Sequence, residues 1–357
     1  MKVFIWMNYP SHHQSFFFKT LVEKGVDLKV GYYEQIAEER TKMGWNEFSF
    51  NSYEMQVDFH KLDDYLDSYK EYVHILPGYG SNFTRTLCIK LSRKKIKWAH
   101  WSEKSTPGLR WYRSYFVKKW YAYMVNNYAL GAFSQGKLAE LDFIRWGIKK
   151  EIAHLNYSIK PLVVRKEYQE IINFKGNRHA FLFLGQLIHR KGVDLLLRAF
   201  SNISNENWCL IIVGGGDLKS ELESLVKKLK ISNQRVLFYP SVNSDEIPDI
   251  LASADVFVLP SRNDGWGVVL NEAASLEKPI IASNTVGAAW HLIEDGQNGY
   301  KFKSGDFSDL QRKMEIYTNE KVSLVNHGAY SLKLFKKYNS DAMANNLVGS
   351  LGKWISK

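Results

Sequence analysis

Two carboxylates, Asp264 and Glu272, stand eight positions apart in the stretch VFVLPSRNDGWGVVLNEAAS, residues 256–275. An apolar run ends at Pro260, Gly265 and Gly267 follow, and a helical pattern opens near Gly267. The first turn of a helix presents backbone amides without intrahelical partners, and such amides suit a phosphate. Glycine has no Cβ, so a ligand can come close to the chain there. Acids on both sides of such a turn suit hydroxyl groups at the two ends of an extended ligand whose phosphates lie between them. The plain alternative makes Asp264 a helix cap and Glu272 a solvated helix residue.

A second charged turn lies in FLFLGQLIHRKGVDLLLRAF, residues 181–200. An apolar run ends at Gly185, and Arg190 and Lys191 precede Gly192 and another helical pattern. A lysine so placed can meet a diphosphate, although a solvated turn reads the same way. Gly214, Gly215 and Gly216 end a further apolar run, but without the GxGxxG spacing of a dinucleotide site they read as a structural turn. Cys88 and Cys209 lie in apolar surroundings and read as buried free thiols. No His, Cys, Asp or Glu cluster has ligand spacing, so the sequence gives no reason to expect a resident metal.

The elements that must position these residues alternate regularly. KVFIWMN, DLKVGYY, YVHILPG, KIKWAHWS and LGAFSQ read as strands, separated by helical segments such as HQSFFFKTLVEKG and GKLAELDFIRWG. After Gly176 the alternation resumes with AFLFLGQL, WCLIIVGGG, RVLFYP, VFVLP and PIIAS as strands. The expected architecture is α/β: two doubly wound, parallel, Rossmann-like sheets whose strand ends face a cleft. The expected division is 1–160, 161–335, and a terminal helix at 336–357 that returns to the first domain.

The chain has 357 residues, 45% of them apolar, enough for two cores. No apolar run reaches the roughly 18 residues of a membrane span, and MKVFIWMNYPSHH turns polar too early for a signal peptide. A cytoplasmic protein is expected. The formal net charge is +11, and between Ser81 and Lys119 eleven Lys or Arg stand against one acid, Glu103. Such a segment favours an anionic partner. No nucleic-acid recognition motif accompanies it. Aromatic residues interleave the cations through Tyr123, so residues 81–123 suit the face of an anionic membrane as well as an ordinary packed helix.

Taken in order, GQLIHRKGVDLLLRAF, VGGGDLKSELESLVKKL and the long stretch from VLFYPSVNSDEIPDI to EDGQNGYKF resemble the retaining glycosyltransferases of family four. The resemblance is close over Phe181 to Asp306 and looser before it. It implies the two-domain GT-B fold and transfer of a sugar from a nucleotide diphosphate donor, UDP favoured, with retention. The implied acceptor is a glycan or a lipid-linked hydroxyl, as in bacterial cell-surface polysaccharide synthesis. By resemblance Glu272 holds the ribose, Asp264 lies against the donor sugar, and Gly265, Trp266, Gly267 and Val268 offer amides to the diphosphate. Lys191 matches the family lysine, with Arg190 beside it, and Tyr239 lies in the loop that touches the base. His100, in KIKWAHWSEK, is the candidate beside the donor sugar. His12 and His13 occupy the first strand-to-helix loop on the acceptor side. Asp264 stands where relatives carry Glu, and Gln186 where they often carry Arg. A front-face route, with the acceptor hydroxyl entering beside the departing phosphate, needs neither protein nucleophile nor metal. The rival readings are a nucleotide-sugar epimerase on the same fold and a non-catalytic nucleotide- or glycan-binding protein.

Overall fold

The computed structural model describes residues 1–34, 49–105, 114–160, 162–319 and 322–357. Two compact units divide the chain, Met1–Lys160 with Tyr338–Lys357, and Pro161–Lys337.

The first unit holds seven parallel strands: β1 Lys2–Met7, β2 Asp27–Tyr32, β3 Glu54–Gln56, β4 Val73–Leu76, β5 Trp98–Ser102, β6 Ala132–Ser134 and β7 Ile152–His154. Their order is β3-β2-β1-β4-β5-β6-β7. Helices cover both faces, so the central strands are apolar on both sides, as KVFIWM and VHIL show. Side chains alternate across a strand, and the packing follows that parity. Phe4 and Trp6 enter a cluster with Leu87, Trp98, Tyr121 and Phe143. Val3, Ile5 and Met7 enter the opposite one with Phe17, Phe18 and Ala99. The last helix, Ser340–Ile355, belongs to this unit, and its buried Met343, Leu347, Leu351 and Trp354 recur at helical spacing to close the second cluster.

The second unit holds six parallel strands: β8 His179–Leu184, β9 Trp208–Val213, β10 Val236–Tyr239, β11 Val256–Leu259, β12 Ile280–Ser283 and β13 Gly299–Phe302. Their order is β10-β9-β8-β11-β12-β13, so the winding reverses between β8 and β11. Crossovers leave to opposite faces at such a point and open a crevice at the strand ends. β9 and β11 are buried along their whole length.

Three short edge elements, β3, β7 and β13, are additions to the expected series. The helical tail expected from Val322 onward is two helices, Leu324–Lys337 and Ser340–Ile355, parted where Asn339 caps the second through the Ala342 amide.

Candidate functional site

The two charged turns found in the sequence leave the two strands that flank the reversal point, Lys191 after β8 and Asp264 after β11. A short 3-10 turn, His189–Lys191, carries the cations and ends at Gly192 with φ +70°. A Cβ at that position would come within 2.2 Å of the Pro260 carbonyl oxygen. The two loops are therefore in backbone contact, and only glycine fits.

That contact brings the charges together. Lys191 Nζ lies 2.5 Å from Asp264 Oδ2. Arg190 Nη1 lies 3.3 Å from Asp264 Oδ1 and donates to the Asn263 carbonyl at 3.1 Å. The Asp264 carboxylate is nearly buried and accepts two cations at once, as a phosphate oxygen pair would. The chain just ahead of it is fixed from the loop after β12. Ser283 Oγ and Thr285 Oγ1 donate to the Ser261 carbonyl at 2.6 and 3.1 Å, and Asp264 forms a bridge with Val286.

Beyond Asp264 the helix begins at Val269 rather than near Gly267. Gly267 instead turns the chain with φ +85°, where a Cβ would approach Val286 Cγ1 to 2.6 Å. The described hydrogen bonds do not use the amides of Gly267 and Val268. Because the helix has only seven residues, its dipole is small and the individual amides matter more. The Trp266 side chain is turned inward. It is buried against His291, and its Nε1 donates to Asn271 Oδ1 at 2.8 Å, so only its backbone faces the turn.

Glu272 is the unusual member. It is 8% exposed, and its carboxylate has no hydrogen-bond or ion-pair partner among the described residues. Burial alone pushes it up to about 7. A buried acid without a partner is costly in a folded chain, and a ligand that donates hydroxyl groups would remove that cost. In the same unit Gln186 follows β8 and Tyr239 ends β10. Both are half-buried, and the Tyr239 ring meets Tyr168 edge-on at 5.9 Å.

His100 belongs to the first unit. It shares strand parity with Trp98 and so points into the cluster of Tyr121, Phe143 and Trp146. It is fully buried, with Nδ1 3.2 Å from the Tyr121 hydroxyl and Nε2 2.9 Å from Ser102 Oγ. Desolvation drives it down to about 3, so it is neutral, and none of its surface is open to a ligand. Its parity with Trp98 was the sequence signal for this. His12 and His13 open the helix His12–Glu23, and their side chains lie outside the described residues.

The basic segment is partly consumed within the fold. Lys90 and Lys94 pair with Asp63 and Asp67 at 2.6 and 2.5 Å. Lys118 is 1% exposed, beneath the Trp146 ring and bonded to Ser105 Oγ. The exposed aromatic groups of the helix Tyr115–Tyr128 are Tyr115, Phe116, Tyr123 and Tyr128. Leu141 and Ile144 of the helix Lys137–Trp146 are exposed as well. Trp111 and Tyr112 lie outside the described residues. No described helix is long and apolar enough to cross a membrane.

Two parallel doubly wound sheets, with charged turns at the reversal point of the second, define the class: this is the GT-B fold. An Anabaena protein crystallised with UDP superposes with a TM-score of 0.78 at 14% identity, covering 99% of this chain and 100% of that one. A lipopolysaccharide outer core galactosyltransferase gives 0.74 at 16% identity, with 99% of each chain covered. Residues 164–331 match the family of glycosyl transferases group 1. An uncharacterized glycosyltransferase of Methanocaldococcus jannaschii is 31% identical over 155 residues, which are 43% of this chain and 42% of that one. The GDP-mannose-dependent alpha-(1-6)-phosphatidylinositol monomannoside mannosyltransferase of Mycolicibacterium smegmatis is 32% identical over 133 residues, 35% of this chain and 34% of that one. The matched stretch spans less than half the length of these curated relatives.

Proposed function

We propose that the protein is a retaining glycosyltransferase that moves a sugar from a nucleotide-diphosphate sugar, with a UDP-sugar favoured, to a hydroxyl of a glycan or lipid-linked acceptor. The observation that carries this reading is Glu272, a buried carboxylate without a partner, in the first turn that follows the Lys191–Asp264 pair. A ribose diol donating to Glu272 would place the neighbouring diphosphate over the amides of residues 265–268, within reach of Lys191 and Arg190. Asp264 would then face the donor sugar. Gln186 and Tyr239 would border the nucleotide, and His12 and His13 would serve the acceptor.

As the glycosidic bond breaks, negative charge grows on the leaving diphosphate. Two cations and preorganised amides stabilise that charge most where water is excluded. A front-face route needs no protein nucleophile: the acceptor hydroxyl enters on the side the diphosphate leaves and gives it the proton. In this reading Lys191 and Arg190, shared with Asp264, and the amides of residues 265–268 offset the charge of the leaving group without a metal. UDP is favoured because solved structures of similar fold hold UDP and glucose. Synthesis of a bacterial surface polysaccharide is favoured because relatives include a capsular polysaccharide glycosyltransferase and a lipopolysaccharide core mannosyltransferase. The exposed Phe116 and Tyr123 would bring the protein to a membrane where a lipid-linked acceptor resides.

Incubation with a panel of UDP-, GDP-, ADP- and dTDP-sugars, with and without a glycan acceptor mixture, tests the proposal. Nucleotide release that requires the acceptor supports it. Release without acceptor favours an epimerase. Binding without release favours a non-catalytic protein.

A further inference from the structure

We propose that Arg262, held by Asp194, is the positioning residue that keeps the two donor-binding loops in register; this rests on the donor-site reading above. The Arg262 guanidinium donates to both Asp194 carboxylate oxygens, at 2.7 and 2.6 Å, and to the His189 carbonyl at 3.0 Å. Its own amide donates to the Arg190 carbonyl at 2.8 Å. Its carbonyl accepts from Thr285 Oγ1 at 3.0 Å and Ser304 Oγ at 3.1 Å. One residue thus joins the turn that carries Arg190 and Lys191, the start of the helix Val193–Ser201, and the loops that follow β12 and β13.

Three cations lie close together here, and they divide into two roles. Arg190 and Lys191 turn toward Asp264, at the proposed diphosphate site. Arg262 turns to Asp194 instead, and the pair satisfies itself. Burial works to raise the Asp194 carboxyl, but the hydrogen bonds and charge of Arg262 outweigh it and hold that carboxyl low. The hydrogen bonds that Arg262 donates to Asp194 in turn raise Arg262. Two parallel bonds fix direction as well as distance, which a lysine cannot reproduce. Asp264 is two residues beyond Arg262, and Lys191 is two residues beyond His189. A slip between the loops would therefore separate Lys191 from the amides of residues 265–268, and the diphosphate could not use both.

Isothermal titration with UDP, GDP, ADP and dTDP tests the proposal on the wild type and on Arg262→Ala, Arg262→Lys, Asp194→Asn and the Arg262→Ala/Asp194→Asn double variant. Thermal melts accompany each titration. Arg262→Ala and Asp194→Asn are each expected to weaken the bound nucleotide about 10-fold, the scale of a coupled side-chain pair. The double variant is expected to be no weaker than either single one, because both remove the same brace. Arg262→Lys, which keeps the charge and one bond, is expected to fall between. Should Arg262→Ala fail to fold, the near-isosteric Asp194→Asn carries the same expectation. Wild-type binding with unchanged affinity in Asp194→Asn and Arg262→Lys, or with additive losses in the double variant, overturns the positioning role alone. A wild type that binds none of the four nucleotides overturns the donor-site reading and this role with it.

Discussion

Glu272 is a buried carboxylate of the second unit without a partner among the described residues. Its carboxyl is raised from an ordinary 4.5 to about 7 in the folded chain. A raised carboxyl binds a proton in the native state that the unfolded state has already released. Stability is therefore lost as pH rises from about 4.5 to 7, at roughly 1.4 kcal/mol per unit at most. Glu272→Gln lacks that titration, so its melting temperature should gain on the wild type between pH 5 and pH 8 while UDP binding falls. Wild-type affinity for UDP should move the other way with pH. Hydroxyl donors favour the charged carboxylate, so binding should tighten through pH 7, by up to about tenfold per unit below it. Calorimetry at pH 6 and pH 8 reads that sign. Asp264 makes a second and less intuitive case. It already occupies Lys191 and Arg190, so an incoming diphosphate must share both cations with it. Asp264→Asn should bind UDP at least as tightly as the wild type while sugar release falls about 100-fold or more, as for loss of a group that acts at the transition state. The residue types at Asp264, Glu272 and Lys191 were legible in the sequence because their spacing is fixed by strand, turn and helix. The Arg262–Asp194 brace was not, because it joins positions far apart in the chain.

At the scale of elements, the turn between β11 and its helix does the positioning. Gly267 needs φ +85° and has no room for a Cβ beside Val286. Gly267→Ala should cost about 1–3 kcal/mol and displace the adjoining amides. A lower melting temperature together with weaker UDP binding is the expected pair of results. The helix Tyr115–Tyr128 presents a different surface. Phe116 is 82% exposed and Tyr123 57%, with Lys119 between them on the same face. Flotation with anionic liposomes at low salt should carry the protein upward, and Phe116→Ser with Tyr123→Ser should leave it at the bottom. Flotation unaffected by that pair of changes would place the contact elsewhere. Central strands and amphipathic helices were legible because buried strands run apolar and helices repeat at their own period. β3 and β7 were not, since EMQ and IAH are three-residue edge strands that are only partly buried and carry no apolar run. Strand parity places His100 in the core of the first unit with Trp98.

For the molecule as a whole, two separate cores have different pH sensitivities. His74 and His100 are both buried and driven down, to about 4 and about 3. Each is neutral when folded and takes up a proton on unfolding below about pH 6.5, so the first unit should lose stability as pH falls through that range. The first unit also depends on the last helix of the chain. Trp354 packs on Phe133 at 4.7 Å and against Gly131, where a side chain would collide with its ring. Trp354→Ala should cost the first unit about 3–5 kcal/mol. Two-phase denaturation followed by tryptophan fluorescence should show one transition moved and the other kept. The alternation of strand and helix made two sheets legible in advance. The strand order, and so the reversal point between β8 and β11, was not legible, because pairing partners leave no mark on a single sequence. The most direct test of the central claim is a crystal structure with UDP bound. The expected result is the ribose hydroxyls within about 3 Å of Glu272, with the phosphates between Lys191 and the amides of residues 265–268. UDP bound away from Glu272, or with its phosphates remote from Lys191, would contradict it.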